Sequence, residues 1–320
     1  MRERFNKQPA RISDNRRKLE EKGLIIPDRE KCEHYLRCIG YFRLKPYFTS
    51  FYQEDQDDSS ELTFKAGTEF TQIIQLYDFD RRLRLHCLDG IERVEVAVRA
   101  TLTETLSIRY GVDWFMQPEN FRLDKPDQQK KYQEFRKALD DNLKKWKEPK
   151  PSQEYFRHFF QKYGPDSIPP SWMIVESLSF GSLESLYKIL KTSTRKEISR
   201  FFDLGPEVLE SWLGSLRVLR NHCAHHDRIW NRKFNYSPAQ NLSRLETVLK
   251  GQEASLLYIR CIILQDFIAT TAPQSRWSSR LRNLLEEYQP NITAMGFPNG
   301  WDNHPFWQQA FQMGSANSSQ

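Results

Sequence analysis

Glycine and proline are scarce in this 320-residue chain, at 13 and 16, and those present cluster between long segments of helical periodicity. No extended run alternates apolar with polar residues, so nothing demands a sheet, and no internal repeat is visible. Cysteine is limited to Cys32, Cys38, Cys87, Cys223 and Cys261. They are odd in number, scattered and without a CxxC pair, which argues against a disulfide framework and for a reducing compartment. Long hydrophobic runs are also missing. The most apolar segment, LLYIRCIILQDFIA, is interrupted by Arg260 and is too short to span a bilayer. The opening MRERFNKQPARI has no apolar core of a secretory signal. These absences lead us to expect a soluble, cytoplasmic, mainly helical protein with no membrane partner.

Hydrophobic residues make up 38% of the chain and charged ones 28%, a polar but globular balance that does not read as disorder. Aromatics reach 13% and are expected to supply much of the core. Forty-eight basic residues against 42 acidic ones leave a charge of +6. That excess is compatible with a polyanionic partner, and a solvated surface explains it equally well.

Helix signals punctuate the chain. SDNRRKLEEKG reads as a helix ended by Gly23, and Asp28 caps a second that stops at Gly40. The acidic stretch 52–62 reads as a loop. Apolar residues from Phe70 to Leu106 recur at helical spacing, which predicts a long spine helix over about 68–110 with Gly90 as its expected bend. Its charged residues, among them Asp78, Asp80, Arg81, Arg82, Arg84, Glu92, Arg93 and Glu95, are better explained as a ladder of salt bridges than as a site. A charge-rich insert, about 122–152, carries one amphipathic helix from Gln128 to Trp146 and ends in a loop at Pro149–Ser152. A further helix should turn Trp172, Val175, Leu178 and Leu186 inward, with Gly181 in its middle. Pro206 opens the next helix at its first turn. A polar loop (235–243), an apolar helix around Leu256–Ile268 and a short helix at 279–288 follow. The aromatic tail MGFPNGWDNHPFWQQAF should dock as a cap, with MGSANSSQ frayed.

The densest chemistry lies in LRVLRNHCAHHDRIWNR, residues 216–232, with three of the chain's seven histidines, one cysteine and four arginines. On a helix over 208–228, about 100° per residue sets Val208, Trp212, Leu216, Leu219 and Cys223 on one apolar stripe. Cys223 is then a small buried hydrophobe. His222 and His226 stand four apart, as in helical zinc sites, but no carboxylate lies between them and no third ligand is visible. A hydrogen-bonded helix end explains His226 more simply. His225 points away from the stripe beside Asn221, and Arg220 flanks it. Arginine offers a charged planar fork for phosphate oxygens, and imidazole exchanges a proton near neutral pH. Helix ends also attract Arg and His for dipole reasons, so the pattern by itself leaves both explanations open.

Arg220-x4-His225, with Asn221 after the arginine, resembles the R-x4–6-H motif of the HEPN superfamily of helical ribonucleases. The longer LRNHCAHHDRIWNR is similar to the abortive-infection (Abi-like, AbiD/AbiF) family, as are KGLIIPD, YLRCIGYFRLKPY, YDFDRRLR, IERVEVAVR, PPSWMIVESLSFGSLESLY and the tail MGFPNGW…PFW, over roughly residues 15–307. The resemblance implies an all-α, HEPN-like helical bundle, usually dimeric, that cleaves RNA without a metal or other cofactor in phage defence or as a toxin. Some relatives are neutralised by a small structured antitoxin RNA. Arg220 and His225 are the implied catalytic pair, with Asn221 supporting. Within this picture we expect an N-terminal helical extension (1–65), a HEPN-like core (66–271) and a C-terminal helix with a short aromatic cap (272–320).

Metal-free RNA cleavage needs a base for the 2′-OH, an acid for the leaving 5′-oxygen and positive charge on the phosphate. One His225 cannot easily perform both proton transfers, so a two-fold homodimer that joins two Arg220/His225 sets, with helix 206–228 near the interface, is expected. His226, Arg228, Trp230, Arg232 and Arg93 are the expected RNA-binding or supporting residues. Pairs such as Tyr41/Arg43 and Trp230/Arg232 could stack on unpaired bases, unless the rings belong to the core. A non-catalytic RNA-binding protein that holds a structured small RNA is the second expectation, and a metal hydrolase using His222 and His226 the third. The charged insert is a candidate for target or antitoxin recognition, and a solvated helix explains it too.

Overall fold

The computed structural model describes residues 8–53, 62–148 and 153–313. Most of the acidic loop, the Pro149–Ser152 loop and the tail after Met313 lie outside the described residues. Among the described residues there are fourteen α-helices and no strand, only three isolated bridges, so the fold is all-α as expected. No described helix is long and apolar enough to cross a membrane. Contacts divide the chain into two units, one running up to Arg84 and including Asn283–Pro290, the other holding Leu85–Arg282 and the chain from Asn291.

The first unit begins with α1 (Ile12–Glu21), α2 (Arg29–Cys38) and α3 (Tyr41–Phe48). Gly23 (φ +87°) and Gly40 (φ +92°) end the first two helices in left-handed backbone, as their positions in the sequence suggested. Asp28 caps α2 by accepting from the Lys31 N–H at 2.9 Å. Leu19, Leu36, Phe48 and Phe64 form the core with Phe70 and Ile73 from the start of α4 (Phe70–Tyr110). Asp80 and Arg84 of α4 are buried in this unit, paired with each other and with Tyr47, whose hydroxyl donates to Asp80 Oδ2 at 2.6 Å. The rest of the α4 charge pattern is the expected ladder: Asp78 with Arg81 and Arg82, Asp89 with Arg93, Glu95 with Arg99.

In the second unit, α4 continues unbroken through Gly90. A Cβ there would lie 2.8 Å from the indole nitrogen of Trp277, which donates to the His86 carbonyl at 3.0 Å. Gly90 therefore admits a buried ring and does not interrupt the helix. After α4 come α5 (Pro126–Trp146), α6 (Glu154–Tyr163), α7 (Ser171–Ser177), α8 (Phe180–Ile189), α9 (Thr192–Phe201) and α10 (Pro206–Ala224). The single helix expected around Gly181 is in fact two, α7 and α8. Ser179 caps α8 by accepting from the Ser182 N–H, and the Arg99 guanidinium donates to the carbonyls of Val175, Glu176 and Leu178 where α7 stops. Val175, Leu178 and Leu186 are buried as expected, but Trp172, in the first turn of α7, is half exposed.

The short α11 (Glu246–Leu249) is followed by α12 (Leu257–Thr271), α13 (Trp277–Tyr288) and α14 (Pro305–Met313). From Leu257 to Ile268 every residue of α12 is buried, Arg260 included. α10 lies against α8, α9 and α12. It runs antiparallel to α12, since Trp212 meets Phe267 (5.7 Å between rings) while Cys223 lies within electrostatic range of Cys261. The aromatic tail docks as expected: Trp307 donates to the Tyr258 hydroxyl at 3.0 Å and packs with Trp301.

Gly90→Ala tests this packing against intrinsic helix preference. Propensity alone would raise stability by about 1 kcal/mol. The clash with the buried Trp277 ring should instead lower it by about 1–3 kcal/mol in denaturant unfolding.

Candidate functional site

Helix α10 ends four residues short of the expected Arg228, and the way it ends shapes the site. His225 is the C-cap (φ −87°, ψ 7°), and His226 is left-handed at φ +60°. The His226 N–H donates to the Cys223 carbonyl at 3.1 Å and the Asp227 N–H to the His222 carbonyl at 2.9 Å. This pair of bonds is a Schellman motif, with histidine where glycine is usual. The helical phase therefore holds through His225, whose N–H still bonds to the Asn221 carbonyl, but it cannot pair His226 with His222 on one face.

The Asp227 side chain then turns back to His222, whose Nδ1 lies 2.9 Å from Oδ2. The hydrogen bond from His222 holds the Asp227 carboxyl below its ordinary range, outweighing partial burial, and the charges of Arg232 and His225 add to the effect. A depressed carboxylate contributes stability above its unfolded pKa and loses it as pH falls through the lowered folded value. Half exposure screens the pair, so its contribution is small. His222 also meets the edge of the Phe234 ring at 5.7 Å. Among the described residues no group of three His, Cys, Asp or Glu has the geometry of a metal site. Cys223 is buried, in the core position that its phase indicated.

Arg220, Asn221 and His225 stand apart from this bonded set. Arg220 and Asn221 are half-buried on the last turn of α10, and His225 is exposed at its cap, its N–H bonded to the Asn221 carbonyl at 2.9 Å. None of the three side chains has a hydrogen-bond or ion-pair partner among the described residues. Arg217, one turn earlier, differs: its Nε lies 3.0 Å from Glu184, a buried carboxylate that also takes Lys188. A free guanidinium, an amide and an imidazole within six residues can hold a phosphate and move a proton.

The other expected residues are distributed differently. Trp230 is buried, 3% exposed, so its ring is core and is not presented to a base. Arg232 donates to the Arg228 carbonyl at 3.2 Å and helps set the turn after His226, which is itself exposed. Tyr41 packs on Phe48. Arg93 is bonded to Asp89 at 3.2 Å. It lines an open groove of about 680 Å³ with Ala272–Arg276 and Arg280, beyond the C-terminal end of α12. About eleven residues of helix rise, roughly 16 Å, separate Cys261, near Cys223, from Ala272 in the groove. Arg276 and Arg280 were missed at the sequence level, where the spacing of basic residues on α13 gave no sign that they meet Arg93.

The site therefore belongs to an all-α protein that carries, at a helix stop, an Arg-Asn-His set with no side-chain partner among the described residues. The family model for Abi-like protein matches residues 34–231, more than half of the chain and inclusive of that set, so the chain belongs to the Abi-like family. No curated protein and no solved structure matches it.

The left-handed His226 is open to a direct check. His226→Ala and His226→Gly both lose the imidazole, but only glycine relieves the backbone. The glycine variant should be the more stable of the two by about 1 kcal/mol in denaturant unfolding.

Proposed function

We propose that this Abi-like chain is a metal-independent endoribonuclease of abortive-infection phage defence, of toxin type. Arg220 grips the scissile phosphate and His225 transfers a proton, with Asn221 orienting one or the other. The observation that carries this is that the three side chains have no hydrogen-bond or ion-pair partner among the described residues, and they have the chemistry of a phosphate clamp and an acid–base group. In the reaction the 2′-OH loses its proton as the O2′–P bond forms. The P–O5′ bond then breaks as O5′ gains a proton, which leaves 2′,3′-cyclic phosphate and 5′-OH ends. A guanidinium offsets the charge that grows on the phosphate oxygens.

Two proton transfers call for two groups. A homodimer that places two Arg220/His225 sets in one composite site supplies them. His222 is less suited, because Asp227 already holds its Nδ1 and about 200° of helix turn separates it from Arg220. A small structured RNA that occupies this site without being cut would act as its inhibitor.

Purified protein incubated with RNA should cut it in EDTA as well as without, leaving cyclic phosphate ends. Arg220→Ala and His225→Ala should each slow cleavage by about a hundredfold or more. Loss of cutting in EDTA, or wild-type rates in both variants, would contradict the proposal. Tight, salt-sensitive binding with no cleavage would make the chain an RNA-binding protein. For the composite site, a mixed dimer with one His225→Ala copy should fall well below half of wild-type activity, whereas independent sites would retain half.

A further inference from the structure

The groove around Arg93 has a chemistry of its own. Its lining includes three arginines, Arg93, Arg276 and Arg280, and no carboxylate. Asp89, beside the groove, lies 3.2 Å from Arg93 and 2.6 Å from Arg280. One carboxylate thus positions two guanidinium groups without cancelling both. The Arg93 side chain is partly exposed beside the groove. Arg276 and Arg280 are exposed, and the groove opens onto the first turn of α13, whose leading N–H groups have no acceptor within the helix. Three guanidinium forks around one open space suit phosphate oxygens.

We propose that the groove lined by Arg93, Arg276 and Arg280 is a phosphodiester-binding track for RNA, separate from Arg220 and His225. This rests on the proposed action on RNA and adds where the strand is held. Ala272 of the groove lies eleven residues, about 16 Å of helix rise, beyond Cys261, the α12 residue near Cys223, so an RNA that reaches both places needs several nucleotides. The groove then selects substrates by length, and its contribution weakens with salt as phosphate contacts do.

The test uses the full chain and 2′-O-methyl oligoribonucleotides, which lack the attacking hydroxyl and cannot be cut. Binding of a dinucleotide and of a long single strand is measured over a salt series for wild type, Arg276→Ala/Arg280→Ala and the milder Arg276→Gln. The expected result is at least a tenfold loss of long-strand affinity in the double variant, with a salt slope shallower by about one to two, and unchanged dinucleotide binding. Arg276→Gln should show a smaller loss in the same direction. Unchanged long-strand binding in both variants would overturn the proposal, as would equal weakening of both probes or a wild-type preference for anionic phospholipid vesicles. If wild type still cuts RNA through Arg220 and His225 in any of those cases, only the groove is refuted. If it neither binds nor cuts RNA, the ribonuclease proposal falls with it.

Discussion

A guanidinium buried without a carboxylate holds the segment that follows α10. Arg260 is fully buried in α12 and has no acidic partner among the described residues. Burial lowers its pKa to about 10, which still leaves it charged at neutral pH. An isolated buried charge is costly, so its acceptors are fixed by need. They are the carbonyls of Ala254, Leu256 and Tyr236, and the Phe234 ring lies 4.0 Å below. This one side chain ties the segment 234–256 to the core helix. Tyr236 in turn covers Gly214 of α10, where a Cβ would fall within 2.7 Å of the phenol ring, and the Trp212 indole donates to the Ala239 carbonyl.

The consequence at the site is a fixed exit from α10. Phe234, held over Arg260, meets His222, and His222 meets Asp227. The chain is thereby turned at His226 in a conformation that costs a non-glycine residue about 1 kcal/mol or more. Strain of this kind persists where the surroundings impose it, and it is common beside functional groups. The polar residues of the stretch divide into two groups. His222, Asp227 and Arg232 build the turn, while Arg220 and Asn221, half-buried, and the exposed His225 take no side-chain part in it.

Much of this was legible in the sequence, for identifiable reasons. Helical periodicity found α4, α5, α10 and α12, since a continuous apolar stripe needs no tertiary information. Gly23 and Gly40 marked helix ends because only glycine enters left-handed backbone freely. The same rule concealed other ends: α9, α10 and α13 stop at left-handed Asp203, His226 and Gln289. With no glycine to mark it, α10 reads through to Arg228, and His226 acquires a phase it does not have. The break between α7 and α8 was hidden for a different reason, because it depends on Arg99 from a helix some 75 residues away. Trp230 was ambiguous in sequence, and only packing shows its burial. The grouping of Arg93 with Arg276 and Arg280 was likewise beyond reach, since nearly two hundred residues separate them.

The central claim is that Arg220, Asn221 and His225 serve chemistry and are not needed by the fold. It is tested most directly by the unfolding free energy of the triple variant Arg220→Ala/Asn221→Ala/His225→Ala. Side chains without partners contribute little, so stability should stay within about 1 kcal/mol of wild type. A loss of about 3 kcal/mol or more would mean that these residues hold the helix end together, and would contradict the account.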